Sequence, residues 1–219
     1  MNEKKNLTTK ETFDLAVQNH KKNNLQVAEN LYKKILKTNP NSAGIHNNLG
    51  MMYKTLEEYQ KAISCYEKAI QIDSNYAESH NNLGLTFIKV REYQKAISCF
   101  QKTIQIDPNH ASAHSNLGIV LKELGEYQKA ISCYEKAIQI DPNYAHVYYN
   151  FGNILQELKE LQKAKTCYEK LLNLDPTYKK GYSGYGNLLL KITQHHKGLA
   201  YIRKGDGVIR FTQKEVKII

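Results

Sequence analysis

The sequence predicts an all-α chain built as a quasi-linear stack of helical hairpins. Three observations predict it. The string Glu-Tyr-Gln-Lys-Ala-Ile-Ser-Cys occurs at residues 58–65, 92–99 and 126–133, each copy 34 residues after the last. Within each copy the apolar residues fall three and four apart, the spacing of one helix face. Asp107-Pro108, Asp141-Pro142 and Asp175-Pro176 close successive copies. Proline stops a helix there because it removes a donor and clashes with the preceding turn.

The frame that starts at Ala43, Ala77, Ala111 and Ala145 runs without a gap. Extended backwards, it gives five full repeats at 9–42, 43–76, 77–110, 111–144 and 145–178, after a polar lead over 1–8. In the third copy His80, Leu83, Gly84 and Phe87 share one helix face, and Tyr93, Ala96, Phe100, Thr103 and Ile104 form a second stripe. The link between them is short and polar, with Gly125 as a helix terminator in one copy. A partial sixth repeat occupies 179–204. Its first helix reads as Lys179 to Lys191 and its second as a short stretch from about Lys197 to Lys204. Gly205-Asp206-Gly207 reads as a turn. In the non-helical tail over 205–219, residues 208–211 and 216–219 read as short strands.

Small residues explain how the two helices of a hairpin meet. Gly50, Gly84, Gly118, Gly152 and Gly186 recur at the eighth position, and Ala28, Ala62, Ala96, Ala130 and Ala164 at the twentieth. Tyr66, Phe100, Tyr134 and Tyr168 supply the bulk beside them. One hairpin cannot bury both its faces, so neighbours must stack.

Composition fits this picture. The chain has 219 residues, 41% hydrophobic and 24% charged, the balance of a folded protein or an elongated array. No apolar run approaches the ~18 residues of a membrane span. The first ten residues are polar and lack the apolar segment of a secretory signal, so a cytoplasmic protein is expected. The net charge of +10 lies at the ends: residues 1–42 carry +4, the next four repeats −1, +1, −1 and 0, and residues 179–219 carry +7. A groove tracking phosphates needs a basic stripe in the middle, which is neutral here. The arginines suited to paired phosphate or base contacts number only three, Arg91, Arg203 and Arg210. Nucleic acid is therefore a poor fit, except at the C-terminal segment.

The pattern Asn-Leu-Gly-x-x-Tyr/Leu…Ala-x-x-x-Tyr-x-x-Ala…Asp-Pro resembles the tetratricopeptide repeat (TPR), over residues 9 to about 204. The resemblance implies a right-handed superhelix whose first helices line the concave surface. Departures are visible. His46, His80 and His114 stand where the family more often has a large aromatic, and Tyr148 and Tyr182 restore it. Ser74 replaces a closing proline, and Asn19 stands where an apolar residue is usual.

Reactive-looking residues follow the repeat. Cys65, Cys99, Cys133 and Cys167 lie one per period. Equivalent points on stacked helices are about 8–10 Å apart, too far for a disulfide. They read as packing residues with free thiols, which suits a reducing compartment. His46, His80 and His114 share that spacing and cannot converge on one ion, so a packing or hydrogen-bonding role is expected. The pair His195-His196 reads as part of a surface turn. No phosphate loop, His-Glu-x-x-His or nucleophile setting occurs, so no catalytic residue, cofactor or metal is assigned.

Asn48, Asn82, Asn116 and Asn150 recur at the sixth position. Asparagine is a mediocre helix former, so propensity does not explain them. Carboxamides both donate and accept, which matches the backbone of an extended peptide. The row resembles the asparagine ladder in the TPR superhelix of O-linked N-acetylglucosamine transferase. The plain alternative is an exposed repeated residue. Met51, Leu85, Ile119 and Asn153 lie one turn along the same face and would supply selectivity. Lys54, Lys89 and Lys122 near the helix ends would favour an acidic ligand. The fifth positions, Asn47, Asn81, Ser115 and Tyr149, hold no lysine, so a clamp for a C-terminal carboxylate is disfavoured.

The resulting expectation is a non-enzymatic scaffold that binds a protein or peptide in the concave groove. Its alternative is a recruiting arm for a transferase- or hydroxylase-type enzyme on another domain or subunit. The apolar C-terminal end either folds back on the sixth hairpin or begins another domain, and it offers a route to self-association.

Overall fold

The computed structural model of the chain describes residues 7–207, 209–211 and 216–218. Residues 1–6 of the polar lead, and Val208 and Ile219 of the expected strands, lie outside them. The chain divides into two compact units, residues 1–108 and 109–219.

The first unit holds three helical hairpins: α1 (Thr9–Lys21) with α2 (Leu25–Thr38), α3 (Ala43–Thr55) with α4 (Tyr59–Ile72), and α5 (Ala77–Lys89) with α6 (Tyr93–Ile106). The second holds α7 (Ala111–Glu123) with α8 (Tyr127–Ile140), α9 (Ala145–Glu157) with α10 (Leu161–Leu174), and α11 (Lys179–Lys191) with α12 (His195–Asp206). An antiparallel strand pair follows, β1 (Ile209–Phe211) with β2 (Val216–Ile218), Arg210 opposite Lys217. Within each unit the second helix of one hairpin packs on the first helix of the next, α4 on α5 and α8 on α9.

Local chemistry sets the helix ends. Thr8 and Glu11 form a capping box that satisfies free N–H groups at the start of α1. After α4, α8 and α10, the side chains of Asp73, Asp141 and Asp175 accept the backbone N–H two residues on, at 2.9–3.0 Å. This bonded turn, with proline after Asp141 and Asp175, aims the chain into the next hairpin.

The hairpin turn is less obvious from the sequence. In every repeat the fifteenth residue is left-handed: Asn23, Glu57, Arg91, Lys159 and Thr193 at φ 59–65°, and Gly125 at φ 77°. Only one of the six is glycine. The β-branched Thr193 is the least suited to this region. Thr193→Gly removes a left-handed penalty of about 1–2 kcal/mol but adds unfolded-state entropy, so a net gain of about 0.5–1 kcal/mol is expected. Thermal unfolding of the variant checks it: the midpoint rises, and a fall would show that the turn carries no strain.

The core lies between paired helices. Ala28, Ala62, Ala96, Ala130 and Ala164 are fully buried, as are Tyr32, Tyr66, Phe100, Tyr134 and Tyr168 four residues later. The eighth-position glycines face those rings. A methyl on Gly50, Gly84 or Gly118 would stand 2.6–2.7 Å from the ring of Tyr66, Phe100 or Tyr134. On Gly152 it would stand 3.1 Å from Tyr168.

The sixth hairpin keeps the frame with different parts. Its second helix is longer than the stretch from Lys197 to Lys204 suggests. It starts at His195, the place where α4, α6, α8 and α10 start, and ends at Asp206. His195 and His196 are therefore exposed residues of the first turn of a helix rather than of a loop. The break falls at Gly207, φ 92°, the last residue of the expected turn. Gly198 and Ile202 replace the usual alanine and aromatic. Smaller side chains bring the helices closer: a methyl on Gly186 would lie 2.7 Å from the Gly198 carbonyl oxygen.

Candidate functional site

In α3, α5, α9 and α11 the fourth residue anchors the helix start. His46 Nε2 donates to the Pro40 carbonyl and His80 Nε2 to the Ser74 carbonyl, both at 3.1 Å. Tyr148 and Tyr182 donate to the carbonyls of Pro142 and Pro176, both at 3.0 Å. In these four the acceptor lies six residues back, in the helix's own leading turn. Histidine and tyrosine interchange here because both place a donor at that reach. The expected bond to the helix partner is thus a bond to the preceding loop.

The four thiols are packing groups. Cys65, Cys99, Cys133 and Cys167 are unbridged. Burial pushes the first up to about 11 and the second to about 12, and the other two to about 11. Protonated thiols at neutral pH are poor nucleophiles.

In the first unit, Asn48 on α3 and Asn82 on α5 are half-buried. Asn82 is partly committed: its Nδ2 donates to Asn47 Oδ1 at 3.1 Å. The buried Ser79 hydroxyl donates to the same oxygen at 3.1 Å. Asn47 in turn points its amide at Met51 Sδ, 3.7 Å away. Asn47 thus bonds α3 to α5, a role the lack of lysine at the fifth position did not suggest. Met51 is 38% exposed and Leu85 half-buried. Lys54 is half-buried, and burial first, then the charge of Lys89, holds its ammonium below the usual lysine range. Two cations from neighbouring hairpins therefore face a common region.

In the second unit the equivalent positions diverge. Asn116 on α7 is only 8% exposed, whereas Asn150 on α9 is half-buried. Ile119 is half-buried. Lys122 is held by Glu157 of α9 at 3.1 Å, so its charge is matched within the unit. Asn153 accepts the hydroxyl proton of the fully buried Tyr168 at 2.6 Å. That bond gives Asn153 a structural role beside any role on the surface.

The Tyr168–Asn153 pair explains two defects elsewhere. The hydroxyls of Tyr66 and Tyr134 are buried without a hydrogen-bond partner. Their repeats carry Met51 and Ile119 where the fifth has Asn153, and neither side chain can accept well. An unmet buried hydroxyl costs free energy, so Tyr134→Phe should stabilise the fold by about 1 kcal/mol and Tyr168→Phe should cost about as much. Denaturant melts decide it: shifts of opposite sign are expected, and shifts of the same sign would show that Asn153 does not set the difference.

This geometry of paired helices in a 34-residue frame is matched by three family models of the tetratricopeptide repeat, over residues 41–109, 111–144 and 145–178. The chain belongs to the tetratricopeptide repeat family. Among solved structures it is similar to PilF of Pseudomonas aeruginosa, at 21% identity and TM-score 0.80, over 88% of each chain. It is similar to the MamA protein at 29% identity and TM-score 0.64, over 78% of this chain and 94% of that one. It is also similar to YrrB, described as a TPR protein with an unusual peptide-binding site, at 21% identity and TM-score 0.61, over 80% of this chain and 90% of that one. Curated proteins give no significant match to the sequence. TPR hairpins form a fold of protein–protein interaction, and among the described residues no helix is long and apolar enough to cross a membrane.

Proposed function

We propose that this TPR chain is a non-enzymatic scaffold that holds extended polypeptide segments along its first helices, within the first unit on α3 and α5 and within the second on α7 and α9. The half-exposed carboxamides at the sixth position carry this reading. Asn48 and Asn82 recur at one place of the frame on neighbouring helices, as Asn150 does on α9. A carboxamide both donates and accepts, so it pairs with a peptide bond without regard to side-chain identity. Met51, Leu85 and Ile119, one turn on, offer apolar contact, and Lys54 with Lys89 favours a carboxylate on the bound segment. Asn153 and Lys122, each already engaged inside the second unit, play a smaller part in this reading than in a reading of the sequence alone.

Site-specific photo-crosslinking tests the assignment. A photoreactive residue at Met51 or Ile119 should capture partner polypeptide, while one at Lys136, exposed on the second helix α8, should capture far less. Equal capture from both faces would overturn the assignment to the first helices.

A further inference from the structure

The sixth hairpin departs from the others in charge. In the middle hairpins Glu58, Glu92, Glu126 and Glu160 each pair with a lysine three residues on, Lys61, Lys95, Lys129 and Lys163. In the sixth, Gln194 replaces the glutamate while Lys197 is kept. Nine residues further on, Glu67, Glu135 and Glu169 correspond to Arg203. Both recurring carboxylates are gone. Residues 179–207 hold six cations, Lys179, Lys180, Lys191, Lys197, Arg203 and Lys204, against one acid, Asp206. Asp206 accepts the Ser183 hydroxyl proton.

Four of the cations lie at one end of the hairpin. Lys179 and Lys180 open α11, and Arg203 and Lys204 stand in the last turn of α12. The antiparallel pairing brings these ends together: a methyl on Gly205 would stand 2.6 Å from the Lys179 carbonyl oxygen. All four side chains are exposed. Lysine at the start of a helix opposes the helix dipole, so local stability gives no reason for Lys179 and Lys180. Alanine holds the first place in α3, α5, α7 and α9.

Beside this charge lies a cleft of about 300 Å³ lined by Leu172, Asn173, Tyr182, Ala200, Tyr201 and Lys204. Its floor is aromatic and aliphatic. Tyr201 stacks on Tyr182 at 5.8 Å between ring centres and meets Tyr185 edge-on at 4.8 Å. Lys204 Nζ lies 4.1 Å from the centre of the Tyr182 ring and donates to its hydroxyl at 2.6 Å. A cation is thus fixed at the lip of a hollow the size of one or two side chains, whose lining mixes polar and apolar atoms.

We propose that this end of the sixth hairpin docks an acidic polypeptide segment with an apolar anchor. The anchor fills the cleft over Tyr182 and Tyr201, and flanking carboxylates meet Lys204, Arg203 and the lysines of α11. Charge complementarity selects the partner. Nucleic acid fits less well, because Arg203 is the one arginine of residues 179–207 and lysine makes no paired contact to phosphate or base. The surface is separate from the asparagine positions and stands without them.

Fluorescence anisotropy on the full chain tests it. The probe is a short labelled peptide of Asp and Glu with one central Phe. The comparison probes are the same peptide with Ser for Phe, a single-stranded DNA of equal charge, and phosphatidylserine vesicles. Lys179→Ala with Arg203→Glu places at both sites the residues that other hairpins carry there, so the fold is kept. That variant should weaken the Phe peptide about tenfold, the Ser peptide should bind the parent chain about tenfold more weakly than the Phe peptide, and Lys136→Glu on α8 should change little. The proposal is overturned if the double variant binds within about twofold of the parent, if the Ser peptide binds equally well, or if DNA or vesicles bind more tightly than the Phe peptide.

Discussion

Gly186→Ala is expected to destabilise the second unit by about 3 kcal/mol, near the upper end of overpacking effects. The added methyl meets Ile202 Cγ1 at 2.6 Å, the Gly198 carbonyl oxygen at 2.7 Å and the Ile202 amide nitrogen at 2.8 Å. Two of those three atoms are backbone, so no side-chain rotation relieves the contact. The helices α11 and α12 must separate or slide. At Gly118 the same methyl meets only the Tyr134 ring, at 2.7 Å, and a tilt of that ring absorbs part of the strain. At Gly152 the nearest ring atom is 3.1 Å away. The expected order of cost is therefore Gly186, Gly118, Gly152, read from denaturant midpoints of the three alanine variants. A smaller loss at Gly186 than at Gly152 would contradict the backbone-contact account of the sixth hairpin.

This ranking shows which parts of the fold can be read from the letters. The 34-residue period, the apolar spacing and the recurrent glycine and alanine give the hairpins and their contacts, because packing between helices is periodic and the sequence repeats with it. The left-handed turn residue escapes notice because only Gly125 marks it, while Glu57, Arg91 and Lys159 take the same φ without any compositional sign. Helix α12 is hard to bound because His195, His196 and Gly198 are polar or small. They hold the frame by position rather than by character.

The surface is less legible than the fold. Four asparagines look alike in sequence, yet Asn116 is buried, Asn82 is bonded to Asn47, and Asn48 and Asn150 are half-buried. Differences in a neighbour cause this, and they lie about 34 residues away in the chain. Asn153 looked like a groove residue because it shares a place with Met51. Its bond to Tyr168 follows from chemistry that methionine and isoleucine lack. Comparing the ninth and twenty-fourth positions of each repeat would have found it: the fifth repeat is the only one among 43–178 to offer tyrosine and a carboxamide together.

The second large effect concerns binding. If each carboxamide supplies a net ~1 kcal/mol to a bound backbone, replacing the two of the first unit removes about 2 kcal/mol, about thirtyfold in affinity. Asn48 and Asn82 are the pair to replace, since in the second unit Asn116 is buried and its loss would disturb packing first. Asn82→Ala also breaks the bond to Asn47, so a stability loss of about 1 kcal/mol accompanies it. Circular dichroism separates that loss from an effect on binding. Loss of backbone contacts should weaken unrelated segments alike, because peptide bonds carry no side-chain identity.

The central claim is that first-helix carboxamides hold a polypeptide backbone. Its most direct test is calorimetric titration of a segment captured by crosslinking at Met51 into the parent chain and into the Asn48→Ala, Asn82→Ala variant. The claim predicts a dissociation constant raised about thirtyfold with the helical signal intact. An unchanged constant on a fully folded variant would contradict it.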